Sequence, residues 1–512
     1  MTPSSKHPVF LVALLAALFA AACSGGSGGT IFVPPPPVGN FTNASLKGQY
    51  AFSMTGRESC GGVGSLFARI GSITADGNGN ITSGVEDVNV CTGVLTLSFT
   101  GGSYSIHADG RGTLSLTNST GVTNYSIALA SPAQGFLIQT DSAATASGGL
   151  QLQNPAAFSV TQIAGGYVFD FSGISSALNP ESIIGRFTAD GAGGVQDGLY
   201  DSNEAGTLSG QQAFPAGAFY QMDPANAQSG RGTANFAGHN FTFYIVDRTH
   251  VKCLGTDFPA AYVGDALAQQ NMTFSAASLN GSYAFLMGGS STTGPLATAG
   301  RFTADGGGNL TSTVLDENNN GLLTSLPTSG GTVTGSYTVD ANGFGGGTAT
   351  WTDSNAGTFS FIFYLLSPAQ AVFQETDTQI TSDGSLLAQT PSPIISAVLA
   401  GNYAFVWSGV RSDEEDFTGQ LQLTSASGSN ASGTLDANEF ATGKQFFNFP
   451  FAGTLALGSD PAGRNSFTVT TNAPPTSPAT FNFAAYVVDA NTVFLVGVDP
   501  DRVLVGANAR QP

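Results

Sequence analysis

The segment TADGNGNITSGVEDVN, which begins at Thr74, carries oxygen-bearing side chains at the spacing of a calcium-binding loop. Calcium ions prefer carboxylate and amide oxygens at alternating loop positions. Positions 1, 3, 5 and 12 of such a loop are held here by Asp76, Asn78, Asn80 and Asp87. Related segments begin at Thr188 and Thr303, but there position 3 is Ala or Gly. What persists is Asp-Gly-x-Gly, a pattern typical of a tight hairpin turn, so calcium is an alternative in the first copy only.

An Asp-x-Asn pair ends this segment and recurs in all four copies, even where the turn has changed. It can cap backbone groups at the end of a strand through local hydrogen bonds, and the frequency of short Asx motifs favours that interpretation. In the alternative, the pair points into a barrel mouth and binds a polar ligand such as a sugar. The residues concerned are Asp87, Asn89, Asp201, Asn203, Asp316, Asn318, Asp436 and Asn438.

A second recurrent acid follows later in each copy, at Asp141, Asp257, Asp377 and Asp499. Two carboxylates per domain raise a glycosidase hypothesis, which requires them to lie roughly 5 to 10 Å apart across a sugar. The sequence sets no such distance, and four equivalent active sites in one chain would be unusual. A glycan-active enzyme is therefore the third-ranked hypothesis, and no catalytic residue is predicted.

Other catalytic and metal-binding patterns are poorly supported. Ser27 in GGSGG matches Gly-x-Ser-x-Gly formally, but no strand precedes it and no helix follows. The histidines after the N-terminal segment do not recur between copies, and the odd spacing of His250 and Cys253 places them on opposite faces of a strand. We therefore expect neither a metal site nor a cofactor.

Cysteine usage predicts one disulfide. Cys60 and Cys91 both lie in the first copy, 31 residues apart, and in an oxidising compartment a bridge between them would contribute about 3 to 4 kcal/mol. Cys253 would then be unpaired and buried. In the alternative, all three remain free thiols in the core.

Four copies of one unit position these residues. Similar opening segments, LKGQYAFSM, IAGGYVFDF, LNGSYAFLM and LAGNYAFVW, contain Tyr50, Tyr167, Tyr283 and Tyr403, which are 117, 116 and 120 residues apart. A period of this length indicates a repeated domain, not a solenoid turn or propeller blade. The predicted repeats span residues 44–155, 160–273, 276–391 and 395–512.

Each copy contains about eight short alternating or apolar runs, separated by Asp-Gly, Asn-Gly and Ser-Pro turns. An all-β fold follows, with four tandem antiparallel domains that are up-and-down β-barrels, or alternatively β-sandwiches. The Gly-x-Tyr opening strand resembles the Gly-x-Trp start of lipocalin- and avidin-like barrels. That resemblance implies barrels that carry small apolar ligands.

One face of each opening strand carries a row of aromatic or large apolar residues. Period two places them together on the inward side of the strand. Small barrels are normally filled by side chains, which favours a packed core, and a ligand cavity is the alternative. The rows are Tyr50, Phe52 and Met54; Tyr167, Phe169 and Phe171; Tyr283, Phe285 and Met287; and Tyr403, Phe405 and Trp407.

The N-terminus predicts export and lipid anchoring. Fourteen apolar residues, Val9 to Ala22, follow Lys6 and His7 and end in FAAACSGG. The run is shorter than the roughly 20 residues of a membrane span. It resembles the lipobox of bacterial lipoproteins, which implies a signal peptide at 1–22, lipidation of Cys23 and, with Ser24 next, sorting to the outer membrane. Residues 23–43 form a Gly/Ser/Pro-rich tether.

Composition narrows the partners. The formal net charge of −19 repels phosphate backbones, so we predict no nucleic-acid partner. The lipobox, tether and tandem domains together resemble repeat-bearing bacterial surface lipoproteins. The leading hypothesis is a non-enzymatic binding, adhesion or structural protein at the outer membrane or cell surface, with an extracellular glycan, a protein or a small apolar ligand as partner. A carrier of small apolar ligands is second.

Overall fold

The computed structural model describes residues 39–390, 394–425, 430–471 and 479–512. The predicted signal peptide, Cys23, Ser27 and most of the tether lie outside these residues. The regular secondary structure of the described chain is almost all β-strand, as predicted, and forms four antiparallel barrel units in tandem. No helix in these ranges is both long and apolar enough to cross a membrane.

Nine strands build each of the first three units. The first contains β1 Lys47–Cys60, β2 Val63–Asp76, β3 Asn80–Val90, β4 Gly93–Ser98, β5 Gly101–Ile106, β6 Arg111–Asn118, β7 Gly121–Ser131, β8 Gln134–Asp141 and β9 Ala144–Leu152. The second contains β10 Ala164–Ile174, β11 Pro180–Asp190, β12 Val195–Glu204, β13 Thr207–Ala213, β14 Phe219–Met222, β15 Arg231–Phe236, β16 His239–Asp247, β17 His250–Gly255 and β18 Ala261–Ala268.

The third and fourth units follow the same order. The third contains β19 Asn280–Ser291, β20 Gly294–Asp305, β21 Asn309–Asn319, β22 Leu322–Leu326, β23 Val333–Val339, β24 Gly346–Asp353, β25 Gly357–Ser367, β26 Gln370–Glu375 and β27 Ile380–Ala388. The fourth contains β28 Gly401–Val410, β29 Glu414–Leu423, β30 Ala431–Glu439, β31 Lys444–Ala456, β32 Asn465–Thr471, β33 Ala479–Asp489, β34 Thr492–Gly497 and β35 Val503–Arg510.

Short helices lie mainly at the starts of the units. They are the 3-10 turns Asn43–Ser45, Pro155–Ala157, Val160–Gln162, Ala227–Ser229 and Ala276–Ser278, and one α-helical turn, α1 Ser396–Leu399. At the first of them, the Tyr104 hydroxyl donates to the carbonyl of Leu46 at 2.7 Å, which holds the turn across the end of its barrel. Tyr220 and Tyr337 make the equivalent bonds to Ile163 and Leu279.

Each unit is an up-and-down meander, so the barrel prediction is confirmed and the sandwich alternative is wrong. In the first unit, β1 pairs with both β2 and β9, and β2 pairs with β3, which pairs with β5 and closes the barrel; β4 extends from β3 as a ninth strand. The third unit closes in the same way, and the fourth closes with eight strands. The second is an open sheet whose edges meet at one bridge, Gly194 to Phe219.

The predicted aromatic rows point inward and are packed. All twelve residues belong to the hydrophobic cores of their own barrels and are at most 2% exposed. In the fourth barrel, the Trp407 ring lies 4.3 Å from the Phe405 ring and 5.0 Å from the Phe483 ring, centre to centre. The filled-core interpretation is therefore the one that the structure shows.

The Asp-Gly-x-Gly segments form turns, as predicted. Asp76 Oδ1 accepts hydrogen bonds from the backbone N–H groups of Asn78 and Asn80, at 2.7 and 3.0 Å. Gly77 and Gly79 have φ of +84° and +107°, values that residues with a Cβ rarely adopt. The Asn80 side-chain amide, which donates to Oδ2 at 2.8 Å, and these two backbone donors lower the pKa of Asp76 to about 2. Asp190 and Asp305 accept the same pair of bonds in their copies.

Candidate functional site

The four barrels form a closed ring in which each barrel packs against the next and the fourth packs against the first. At each of these four seams, the outer face of the first strands of one barrel covers the outer face of the last three strands of its neighbour. A cluster of buried apolar residues fills each seam. Between the first and second barrels these residues are Ala51, Ala68, Ile70, Val85, Tyr244, Val246, Leu254 and Val263.

The barrels point the same way, so the ring has two faces. The hairpin face carries the β1–β2, β3–β4 and β8–β9 connections of the first barrel and the equivalent connections of the other three. The terminal face carries the links between barrels. There, Phe41 N–H donates to Ala108 and the Gln511 amide donates to Asp109, so both ends of the described chain reach the terminal face at the first barrel.

The Asp of each Asp-x-Asn pair faces the neighbouring barrel. Asp87 accepts hydrogen bonds from Arg231 Nε at 2.8 Å and Arg231 Nη2 at 2.7 Å, and from the Tyr244 hydroxyl at 2.7 Å. Within its own barrel, Thr96 donates to Asp87 Oδ1 at 2.6 Å. Asp87 is 1% exposed, so this arginine bridge is a buried bond between the first and second barrels.

The other three aspartates keep the position but not all the partners. Asp316 accepts from Arg464 and from the Tyr486 hydroxyl of the fourth barrel. Asp436 lies 3.9 Å from Arg111 of the first barrel. Asp201 accepts from the Tyr364 hydroxyl at 2.6 Å, and the position of the arginine is held by Gly346. Burial therefore raises the pKa of Asp201 to about 6, although the bond from Tyr364 opposes the rise.

The Asn of each pair donates to backbone carbonyls of the next barrel. Asn89 Nδ2 bonds to Gly255 and Ala260, at 3.0 and 2.7 Å. Asn203 bonds to Glu375 and Ile380. The remaining two bond to three carbonyls each: Asn318 to Gly497, Asp499 and Arg502, and Asn438 to Gln139, Asp141 and Ala144.

These contacts correct both sequence interpretations of the Asp-x-Asn pair. A local cap is only part of the pair's role: Asn318 Oδ1 accepts from the N–H of Gly321, but the amides bond to another barrel, as many as 299 residues away along the chain. The mouth-lining ligand site is wrong, since all eight residues lie on outer faces within seams and are at most 5% exposed. Each pair thus makes hydrogen bonds to the neighbouring barrel, which explains why the pair recurs in all four copies.

A glutamine with the same role was missed by sequence reasoning. Gln153 Nε2 donates to the carbonyls of Ser229 and Ile245 in the second barrel, at 3.0 and 2.6 Å. The same amide recurs just after the last strand of every barrel, and each copy bonds to two carbonyls of the next: Gln269, Gln389 and Gln511. Its recurrence at intervals of 116, 120 and 122 residues was the available signal.

Buried charge also crosses the seam between the first and second barrels. Lys252 Nζ lies 3.2 Å from Asp265 and donates to Ser53 Oγ of the first barrel at 3.0 Å. His250 Nε2 lies 2.7 Å from the same carboxylate. Burial by itself would raise the pKa of Asp265, but Lys252 and His250 outweigh it and lower that pKa to about 2.

The second recurrent acid is a local strand connector. Asp141 accepts from the backbone N–H and the side-chain amide of Asn124, 17 residues earlier, at 3.3 and 3.0 Å. Asp257 and Asp499 hold Asn240 and Asn482 in the same way, and Asp377 holds the N–H of Ser360. These carboxylates are thus hydrogen-bonded to backbone N–H groups and side-chain amides. The glycosidase hypothesis would instead require them to face a substrate.

The cysteines lie where the sequence placed them. A disulfide joins Cys60 and Cys91 beside the β1–β2 hairpin of the first barrel. Cys253 is a buried thiol in the core of the second barrel, and burial raises its pKa far above the usual range. His250 faces the seam while Cys253 faces the core, so the two residues are on opposite sides of β17, as predicted.

The hairpin face exposes apolar side chains at several tips. Val63, Leu178 and Leu322 are 67%, 51% and 70% exposed, and Phe258 is also exposed. A groove of about 270 Å³ opens between the first and second barrels at this face. It is lined by Arg57, Cys60, Val63, Gly64, Ser65, Leu66, Ile174 and Leu178.

The barrel interiors contrast with this groove. A cavity in the core of the second barrel measures about 20 Å³, which is room for about one water molecule. Residues 39–390, 394–425, 430–471 and 479–512 contain no group of three or more His, Cys, Asp or Glu residues placed to hold a metal ion.

Comparisons with known proteins do not assign a family. No family model and no curated protein matches the chain. Among solved structures, the chain is similar to one described as "The Structure of Intact Ap-TbpB (N and C lobes)", with 9% sequence identity, a TM-score of 0.18, and coverage of 93% of this chain and 78% of that one. A TM-score this low supports no conclusion about fold or function.

Proposed function

We propose that the protein is a non-enzymatic binding or adhesion protein, anchored to the outer membrane through lipid on Cys23 and presenting the hairpin face of the ring to its partner. The observation that carries the proposal is that the barrel interiors, the seams and the hairpin tips are formed by different sets of residues. Side chains fill the barrels, and the recurrent polar residues are used at the seams. The tips of the hairpin face differ between barrels and leave apolar groups in solvent.

The position of the termini supports this orientation. Gly39 and Phe41 pack on Ala108 at the terminal face. A tether that leads from a lipidated Cys23 to Gly39 would therefore hold the terminal face toward the membrane. The hairpin face would then point outward.

The ring also changes the expected mode of binding. Four separate domains on flexible linkers would offer several weak sites that act together through avidity. In the ring, the four sets of tips are fixed relative to one another and form one composite surface. A partner would therefore contact tips from two or more barrels, such as Val63 and Leu178 on either side of the groove.

The packed interiors weigh against the carrier hypothesis. An apolar ligand pocket typically has a volume of about 300 Å³ or more. The rows that would line such a pocket instead pack against each other in the core. The groove on the hairpin face is the more suitable place for an apolar contact.

Anchoring is tested by replacing Cys23 with Ser in the full chain. We expect the variant to appear in the soluble fraction, while the unchanged protein sediments with the outer membrane. Membrane retention of Cys23→Ser would show that lipid on Cys23 is not the anchor.

The binding surface is tested with the lipid-free chain on glycan arrays and on immobilised extracellular proteins. We expect any partner bound by the unchanged chain to be lost in the Val63→Ser, Leu322→Ser double variant. The matched control is Met272→Ser, which alters an exposed apolar residue in the link that precedes the third barrel. Loss in the control, with binding kept in the double variant, would place the site on the terminal face.

A further inference from the structure

The seam between the second and third barrels differs from the others in its charges. At the other seams, an arginine lies within 4 Å of the aspartate of the Asp-x-Asn pair. Here Gly346 occupies the arginine position, and Asp201 is matched only by the Tyr364 hydroxyl. Asp201 therefore lacks the arginine that lies beside the equivalent aspartates at the other seams.

The same seam buries a second pair of acids, Asp170 on β10 and Asp383 on β27. They are 4% and 3% exposed, and the two carboxyl groups lie close enough across the seam for the charge of Asp383 to act on Asp170. Asp383 also accepts bonds from the hydroxyls of Ser172 and Ser182. Both oxygens of Asp170 lack any donor among the described residues. Two carboxylates in such contact cannot both be ionised, so one of them must carry a proton.

The surrounding groups do not supply the missing positive charge. Asp265, on β18, faces Asp170 and adds negative charge. Lys252 is bonded to Asp265, which also lies against His250. Arg186, on β11, packs 4.2 Å from the centre of the Phe344 ring of the third barrel and donates to the carbonyl of Asp197 at 2.9 Å. On the third barrel, the neutral Gln374 amide donates to Ser182 at 2.9 and 2.7 Å.

Equivalent positions in the other barrels show that the acids are not required by the ring. The position of Asp170 is Ser53, Leu286 and Val406 in the first, third and fourth barrels. The position of Asp383 is Ser147, Val263 and Val505 in the first, second and fourth. At the seam between the third and fourth barrels both positions are apolar, as Leu286 and Val505.

We propose that the seam between the second and third barrels is a pH-sensitive junction, in which Asp170 and Asp383 share one proton and the seam loosens when an alkaline medium removes it. The direction follows from burial, which raises the pKa of both acids, that of Asp383 to about 7. Groups with a raised pKa in the folded state stabilise it at low pH, and that contribution is lost as pH rises through the raised value. Asp201, with its pKa of about 6, acts in the same direction at the same seam.

Hydrogen exchange on the full chain between pH 5.5 and 9 tests the proposal. After correction for the intrinsic exchange rate, the seam peptides 180–190 and 370–375 should open about tenfold more often per pH unit above the pKa of the pair. Peptides 294–305 and 492–497, at the seam between the third and fourth barrels, serve as the internal reference. Equal pH profiles at the two seams would overturn the proposal.

Two variants separate the shared proton from general effects of pH. Asp170→Leu with Asp383→Val copies the apolar pair of the neighbouring seam and should reduce the pH dependence of peptides 180–190 and 370–375 to the part that Asp201 contributes. Asp170→Asn with Asp383→Asn, which keeps the shape of both side chains and removes both carboxyl groups, should do the same if the apolar double variant does not fold. Asp316→Asn, at the next seam, should leave that dependence unchanged. A pH profile that is unchanged by both of these double variants would refute the role of this pair.

Discussion

The side-chain amide of Gln511 donates hydrogen bonds to the carbonyl oxygens of Asp109 and Leu129, at 2.7 and 2.8 Å. Gln511 follows the last strand of the fourth barrel, while both carbonyls belong to the first. The bonds repeat those that Gln153 makes to the second barrel, its neighbour in sequence. The fourth barrel therefore packs on the first as if the first were the next repeat, and this seam closes without a covalent link.

Replacing Gln511 with Ala should destabilise the closing seam. Two buried carbonyls would lose their donor, at a cost of about 1 to 3 kcal/mol. Since no peptide link holds these two barrels side by side, we expect part of the population to open, with a larger radius of gyration in small-angle X-ray scattering.

The matched control for this change is Gln389→Ala. It removes the equivalent two hydrogen bonds, to the carbonyls of Ala462 and Val487. The barrels at this seam are consecutive in the chain and stay covalently joined. It should lower the melting temperature without increasing the radius of gyration. If both variants stay equally compact, closure does not depend on Gln511.

Replacing Asp316 with Ala should cost about 2 to 3 kcal/mol in the full chain. The change leaves Arg464 and the buried Tyr486 hydroxyl without their carboxylate acceptor. Because Arg464 is partly exposed, the loss of stability should be smaller than for a fully buried ion pair. Thermal melting of Asp316→Ala and Asp436→Ala provides the comparison. Asp436 lies 3.9 Å from its arginine, so its loss should be smaller. A larger loss for Asp436→Ala would contradict the assignment of the stronger bridge to Asp316.

Reduction of the disulfide should destabilise the first barrel. The bridge closes a loop of 31 residues, which corresponds to about 3 to 4 kcal/mol in the loop-entropy account. Cys60→Ser with Cys91→Ser should therefore melt earlier than the oxidised protein and should not respond to reductant. Cys253→Ser, which leaves the bridge intact, is the control and should keep the response.

Stability at the closing seam should fall as pH rises because of Asp416. This buried carboxyl accepts from Thr145 of the first barrel and from Ser408, both by hydroxyl bonds. Burial raises its pKa to about 6, so its favourable contribution is present at pH 4 and is lost as pH passes through 6. Relative to the unchanged protein, Asp416→Asn should gain about 2 to 3 kcal/mol in the free energy of unfolding between pH 4 and 8.

Asp76→Asn is the opposite control for that experiment. Its turn donors lower the pKa of Asp76, so a carboxylate at this position is favoured once pH exceeds the ordinary value. Relative to the unchanged protein, Asp76→Asn should show no gain in the free energy of unfolding between pH 4 and 8. A flat difference between Asp416→Asn and the unchanged protein would show that Asp416 does not titrate in this range.

Local pattern was enough to determine the repeat, the strands and the turns. A hairpin such as that of Asp76 to Asn80 depends on neighbouring residues and on the φ that glycine allows, and both are written in a short stretch of sequence. The inward direction of Tyr50, Phe52 and Met54 follows from the two-residue period of a strand in the same way. The bond between Cys60 and Cys91 was suggested by their shared repeat.

The role of the recurrent polar residues was decided by tertiary structure. Recurrence showed that Asp87 and Asn89 matter to every repeat, but a single repeat does not contain their partners. Arg231 is 144 residues from Asp87, and Asn438 reaches back 299 residues to Gln139. Such bonds exist only after four folded barrels have packed together. The sequence thus specified the unit, whereas the ring depends on how the outer faces of those units fit, because a strand pattern distinguishes inside from outside and does not identify what covers the outside.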